Sequence, residues 1–232
     1  MTRLYAHRGS HRDLPENGLA AFARAIEEGA GGVELDVRTT RDDVVVVCHD
    51  PHLGRLRGRA AQVARLPYAY LRSQFDLPTL DEAIDLVTGA GLRLNIEVKG
   101  DVPDRKHSAA CVSRALSRRS AKERGAIVLS SFDPVVLRAL GATTDVPIGF
   151  LFDEANTGAR RAALALALLR PDGVHPHHAL CTPARVARWK RRGLFVNVWT
   201  VNDEARAREL ASLGADGLIT DDVPRLRAAL GA

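Results

Sequence analysis

The chain has 232 residues, 46% of them hydrophobic and 26% charged, with a formal net charge of +5. That balance excludes a disordered or collagenous chain and supplies enough apolar material for a sizeable core. The longest apolar run, AALALALLR, is about half of the ~20 residues that a bilayer span needs, and the arginine excess lies on helix-like stretches without interleaved aromatics, which argues against nucleic acid.

The first element is a strand, RLYA (3–6). No charged region followed by a long apolar run precedes it, so no secretory leader is expected. Cys48, Cys111 and Cys181 are widely spaced and form no CxxC pair. They are expected to be buried free thiols in a reducing cytoplasm.

The helix GLAAFARAIEEG (18–29) puts Leu19, Phe22, Ala23 and Ile26 on one face. The strand GVELDV (32–37) follows, then a polar turn, TTRDD, then VVVVCHD (44–50). Strand, turn and strand make a hairpin, so VVVVCHD is an extra strand folded back on the second barrel strand. GRLRGRAAQVARLPYAYLRSQFDLP (54–78) is the least regular stretch. It reads as a short insertion or lid, about 51–78.

From there helices and strands alternate to the end. TLDEAIDLVTGAG is followed by LRLNIEV (92–98), SAACVSRALSRRSAKERG (108–125) by AIVLSS, and DPVVLRALG by PIGFLF. TGARRAALALALLR then leads to DGVHP, TPARVARWKRRG to FVNVWTV, and DEARARELASLG to DGLIT and DVPRLRAALG. Gly29, Gly125, Gly193 and Gly214 at helix ends predict left-handed C-terminal caps. Eight strand–helix units predict a (β/α)8 TIM barrel, with an extra hairpin strand and a short insertion after the second barrel strand. A doubly wound open sheet is the alternative. No linker or composition shift divides the chain, so residues 1–232 read as one domain.

The chemistry gathers on the first three barrel strands. Glu34 and Asp36 are two residues apart on a strand and point to one face. Two carboxylates there repel each other, and a cation between them removes the penalty. Glu97 and Lys99 repeat the arrangement on the next strand. Three hard oxygen ligands, Glu34, Asp36 and Glu97, suit Mg²⁺ or Ca²⁺. A turn centred near Arg41–Asp42 would put His49 roughly opposite Glu34. His7 ends the first strand, so His7 and His49 can form an acid–base pair at the C-terminal mouth. Arg8 offers a fork to phosphate oxygens and Lys99 a point charge. Together these groups suit phosphoryl transfer from a phosphodiester. Arg8 can reach the mouth beside His7 only if the backbone turns out of the strand between His7 and Gly9.

In order, HRG, PEN, GVELDV, VVVVCHD, LPTLDEAI, NIEVK, SSFDP, VWTVND and GADGLITDDVP resemble the glycerophosphodiester phosphodiesterase family from about residue 5 to about residue 225. The resemblance implies a TIM barrel that uses Mg²⁺ or Ca²⁺ to hydrolyse small-molecule glycerophosphodiesters to an alcohol and sn-glycerol 3-phosphate. It makes His7 and His49 the acid–base pair and Glu34, Asp36 and Glu97 the metal ligands. It gives Arg8 and Lys99 to the phosphate, and Trp199 to the pocket wall; Phe132 in SSFDP is expected to add to the apolar rim. It also implies attack by a glycerol hydroxyl through a cyclic phosphate, with direct attack by water as the other route. The family's PENT is PENG here, which leaves Gly18 or Asn17 to cap the first helix. His175, His177 and His178 are expected to be loop histidines without a role, with a place for one of them in the pocket lining as the alternative. A lysophospholipase D acting on lysophospholipids is the alternative activity, and a non-catalytic barrel binding a phosphorylated ligand is the alternative class.

Overall fold

The structure, a computed structural model, describes residues 2–54, 61–154 and 158–231. Eight strands are parallel and close on themselves: β1 (Arg3–His7), β2 (Gly32–Thr39), β4 (Arg93–Val98), β5 (Ile127–Ser131), β6 (Ile148–Phe152), β7 (Gly173–Pro176), β8 (Phe195–Val198) and β9 (Gly217–Thr220). The barrel closes where β1 pairs with both β2 and β9. The strand β3 (Val45–Val47) runs antiparallel on β2, as the hairpin reading requires. It has room because β1 stops at His7, opposite Glu34, while β2 continues to Thr39. β3 takes up the edge that β1 leaves.

The helices are α1 (Leu19–Glu27), α2 (Tyr68–Phe75), α3 (Leu80–Gly89), α4 (Arg105–Ser117), α5 (Ala121–Gly125), α6 (Pro134–Gly141), α7 (Gly158–Leu169), α8 (Pro183–Arg191), α9 (Glu204–Ser212) and α10 (Val223–Leu230). Most start on a side-chain cap that satisfies an orphan backbone N–H. Thr79 and Ser120 form capping boxes with Glu82 and Glu123, and Asp104, Asp133, Thr182, Asp203 and Asp222 cap α4, α6, α8, α9 and α10. The Ser120 box starts a new helix, so the segment 108–125 is two helices rather than one. Gly29, Gly193 and Gly214 have positive φ as expected, whereas Gly125 is the last residue of α5.

Inside the barrel, residues in register share a face. Tyr5, His175 and Phe195 fill it, and glycines face them. A Cβ on Gly32 would meet Tyr5 at 2.6 Å, one on Gly149 would meet His175 at 2.4 Å, and one on Gly173 would meet Phe195 at 2.2 Å. Outside, the strands pack on the helices through a core that includes Phe22, Leu35, Ile84, Ile96, Leu129 and Leu226.

The stretch after β3 is more ordered than its sequence suggests. Residues 55–60 of the expected insertion lie outside the described residues. Beyond them come a 3-10 turn (Val63–Arg65) and α2. Val63, Leu71, Phe75 and Leu77 bury against Val46, Cys48 and Leu53, forming a second small core behind β3. Among the described residues, no helix is long and apolar enough to cross a membrane. All three cysteines are buried free thiols.

His175 is fully buried, and burial lowers its pKa to about 3 from an ordinary 6.5. Below pH 6.5 the unfolded chain binds a proton that the folded chain refuses until about pH 3. Stability contributed here is therefore present above pH 6.5 and lost as pH falls, by about 1.4 kcal/mol per unit. Unfolding free energies from denaturant titrations at pH 7 and at pH 4.5 should fall by about 2.5 kcal/mol more for the native sequence than for His175→Asn. Parallel curves would exclude this account.

Candidate active site

The site is assembled at the C-terminal ends of β1, β2 and β4. Register pairs His7 with Glu34, and Asp36 with Glu97, so all four face the same side of the sheet. Ligand oxygens of Glu34, Asp36 and Glu97 lie within 4.8 Å of one another, and all three residues are buried. This is the trio expected from the sequence.

The electrostatics show the strain of such a cluster. Burial first, and then the charge of Asp36, push Glu34 up to about 8. Burial also raises Glu97. Asp36 goes the other way. Burial opposes its charge, but Lys99, Arg8 and His49 and a hydrogen bond from Asn17 outweigh burial and hold it below the usual carboxylate range. Lys99 Nζ donates to Glu97 at 2.7 Å and to Asp36 at 3.2 Å. Arg8 Nε lies 3.3 Å from Asp36, and its Nη1 donates to Glu16 at 3.0 Å. Three carboxylates, still repelling with two cations beside them, fit a hard divalent cation.

Arg8 reaches the cluster because the backbone turns there. Arg8 has φ 54° and Gly9 φ 81°, both left-handed. The Arg8 N–H then donates to Glu34 at 3.2 Å. A side chain on Gly9 would also strike Ala21 at 2.8 Å. So His7 and Arg8, adjacent in sequence, serve one mouth.

Two expectations shift. The β2–β3 register pairs Val37 with Val47, which sets His49 opposite Leu35 rather than Glu34. Pairing ends at Val47, and His49 still comes close enough for its charge to act on Asp36 and Glu97. Asn17 is not a helix cap. Gly18 holds that position without a side-chain bond, and Asn17, at φ 58°, turns inward. Its Nδ2 donates to Asp36 Oδ2 at 2.9 Å and its Oδ1 accepts from the Asp36 N–H at 3.1 Å.

Both histidines are held by carboxylates that sequence reasoning missed. His7 Nδ1 lies 2.7 Å from Asp221, and His49 Nδ1 lies 2.6 Å from Asp50. Burial disfavours charge on His7, but the Asp221 bond and the Glu34 charge prevail, so its pKa is raised. Asp221, bonded also by Asn202 at 2.6 Å, is lowered to about 2. Buried Arg38 fixes the backbone at His49. Its Nε and Nη2 donate to the His49 carbonyl at 2.9 and 2.6 Å, and Nη2 also reaches Asp101 at 2.8 Å. The signals were present in sequence as HDP, TDD and the R of VRTT, but each of them is common in loops and strands.

At the rim, Phe132 and Trp199 meet edge to face, 5.3 Å between centroids. Trp199 Nε1 donates to the His175 carbonyl at 2.7 Å, and His177 packs on the Trp199 ring at 5.1 Å. Thus His177 supports the rim and His175 fills the barrel; neither is an idle loop residue. His178 packs against His177.

A closed (β/α)8 barrel with a buried acidic cluster at its mouth defines the chain as a TIM-barrel enzyme. The profile of the glycerophosphoryl diester phosphodiesterase family matches residues 7–225, a span that takes in every residue of the site described here. The chain belongs to that family. A glycerophosphodiester phosphodiesterase of Caldanaerobacter subterraneus is 29% identical over 95% of this chain and 94% of its own length. A probable glycerophosphodiester phosphodiesterase 2 of Mycobacterium tuberculosis is 31% identical over 96% and 88%. Among solved structures, an Oleispira antarctica phosphodiesterase in complex with the product sn-glycerol-3-phosphate has a TM-score of 0.86 at 26% identity, over 100% of this chain and 98% of that one. The glycerophosphodiester phosphodiesterase of Thermotoga maritima has a TM-score of 0.83 at 31% identity, over 98% of both chains.

Asn17→Gly keeps the left-handed backbone and removes both bonds to Asp36. It should lower unfolding free energy by about 1–3 kcal/mol, the usual cost of stranding buried polar groups. A change within about 0.5 kcal/mol in a denaturant titration would show that the amide contributes little.

Proposed function

We propose that the protein hydrolyses glycerophosphodiesters to an alcohol and sn-glycerol 3-phosphate, with Glu34, Asp36 and Glu97 holding a divalent cation, Mg²⁺ or Ca²⁺. The observation that carries this reading is the pair of histidines, each with Nδ1 bonded to a carboxylate, beside a buried three-carboxylate cluster. A cation bound there would supply positive charge to the phosphoryl oxygens.

The chain's own residues divide the rest. Arg8 and Lys99 present positive charge to the phosphate. With Nδ1 engaged, each histidine keeps Nε2 for proton transfer. One imidazole removes the proton from the attacking hydroxyl as the new P–O bond forms. The other delivers a proton to the leaving alcohol oxygen as its P–O bond breaks. The proton count is the same whether the hydroxyl belongs to the substrate's glycerol or to water. Phe132 and Trp199 offer an apolar wall beside the phosphate. Three buried free thiols support a reducing compartment, the cytoplasm.

A second reading has an observation in its favour. An apolar groove between α6 and α7, lined by Pro134, Val135, Ala139, Leu164 and Leu168, starts two residues beyond Phe132. An acyl tail could lie along it, and the substrate would then be a lysophospholipid. Release of sn-glycerol 3-phosphate from glycerophosphocholine, with Mg²⁺, Ca²⁺ or Mn²⁺, would support the first reading. Cleavage of lysophosphatidylcholine alone would support the second. No turnover of any diester would leave a phosphate-binding barrel and overturn both.

His49→Ala should lower kcat by about 10²–10⁴-fold, the range for losing an acid or base, while metal affinity changes far less. Glu34→Ala or Asp36→Ala should abolish the metal-dependent activity, and circular dichroism should still report a folded barrel. Activity that survives chelation would contradict the metal assignment. Arg38→Lys keeps the charge but loses the fork that spans His49 and Asp101, so kcat should fall with KM nearly unchanged. An unchanged kcat would remove Arg38 from the positioning of His49.

A further inference from the structure

Among the described residues, a second group of metal-ligating side chains lies outside the barrel, where the β2–β3 turn meets α4. Asp43, in the turn, and His107 and Cys111, on α4, bring ligand atoms within 4.8 Å of one another. His107 and Cys111 are four residues apart and share a helix face. We propose that Asp43, His107 and Cys111 form a binding site for a borderline-soft divalent metal, Zn²⁺ by preference.

The donor set is a carboxylate, an imidazole and a thiol. Mixed N, S and O ligation suits Zn²⁺, Co²⁺ or Ni²⁺, and differs from the all-oxygen set of Glu34, Asp36 and Glu97. His107 Nε2 and Cys111 Sγ are 3.6 Å apart. A tetrahedral zinc, with Zn–N about 2.0 Å and Zn–S about 2.3 Å, separates those two ligands by about 3.5 Å. Asp43 Oδ1 now bonds His107 Nε2 at 2.6 Å. A metal replaces that shared proton and pushes the two ligands slightly apart. Asp43 and His107 are half exposed and Cys111 is buried, so the site is open above and closed below. Three protein ligands then leave a fourth position for water.

A cation already sits at this group. Arg114 Nη2 lies 3.2 Å from Cys111 Sγ and 3.5 Å from Asp43. Its side chain is 58% exposed and can swing away. The anchor points do not depend on it. Asp104 caps the helix at the His107 N–H, and Thr39 bonds Ser108 at 3.1 Å, fixing α4 to β2. Burial, then the Asp43 charge, raise the Cys111 pKa, so metal uptake releases a proton and weakens as pH falls. A metal here clips the hairpin turn to α4, and the same hairpin carries His49 at its other end.

Metal-stripped full-length protein, titrated with Co²⁺, is expected to gain one equivalent of thiolate-to-cobalt charge-transfer absorption in the near ultraviolet, lost on adding Zn²⁺. Cys111→Ser and His107→Ala should abolish the band, whereas Glu97→Gln should keep it, because the barrel cluster has no sulfur. Zn²⁺ affinity should drop at least about tenfold in either ligand variant, since even indirect partners of a metal ligand are worth that much. Arg114→Ala, which removes the competing cation, should tighten binding. Absence of the band in the native sequence overturns the proposal. So does a band that survives Cys111→Ser, which would belong to Cys48 or Cys181. His107→Ala alters a half-exposed side chain and keeps the test decisive if Cys111→Ser folds poorly.

Discussion

Burying three carboxylates within ligand distance of one another is the constraint on which the rest of this structure depends. Each charge loses water, and each repels the other two. Asp36 stays ionised because Lys99, Arg8, His49 and Asn17 surround it, while Glu34 is raised because fewer favourable partners reach it. The segment from residue 8 to 17 is shaped by this need. Arg8, Gly9 and Asn17 all have positive φ, a conformation that costs non-glycine residues free energy. That cost is met by the bonds it permits, Arg8 N–H to Glu34 and Asn17 to both ends of Asp36.

The second layer of the site follows from barrel closure. His7 and Asp221 are 214 residues apart in the chain, yet 2.7 Å apart in space. β1 and β9 are neighbours only because the sheet closes. Asn202, between β8 and β9, bonds Asp221 in turn and also accepts from the Thr220 hydroxyl. One end of the chain thus orients a histidine at the other. The hairpin solves a different problem. His49 has no barrel strand to stand on, so β3 borrows the edge of β2 that β1 vacates. Arg38 then clamps the His49 carbonyl, and the small core around Leu71 and Phe75 backs the strand.

Much of this was legible in the sequence because it rests on local periodicity. Two-residue spacing put Glu34 with Asp36 and Glu97 with Lys99 on common faces. Alternation of apolar runs and amphipathic stretches implied eight strand–helix units. The TTRDD turn between two apolar runs implied the hairpin. The misses were of another kind. Gly18 and Asn17 both read as possible caps; Gly18 takes that place, and what went unread is that Asn17 turns inward to Asp36. His49 fell one position from its expected partner, because a turn can close with one residue more or less. The helix at 108–125 broke at Ser120, where a capping box outweighed continuing periodicity.

The sequence alone determined the strand and helix order, the acidic residues that share a face, and the glycine that lets the chain turn after His7. These depend on spacing and on backbone preferences carried by each residue. Only the tertiary structure decided which carboxylates hold the histidines, that Arg38 fixes His49, that His175 fills the barrel while His177 supports Trp199, and that Asp43 meets His107 and Cys111. Apart from His49 and its neighbour Asp50, those contacts join residues separated in the chain. Their distances are set by closure and strand register, which no local pattern encodes.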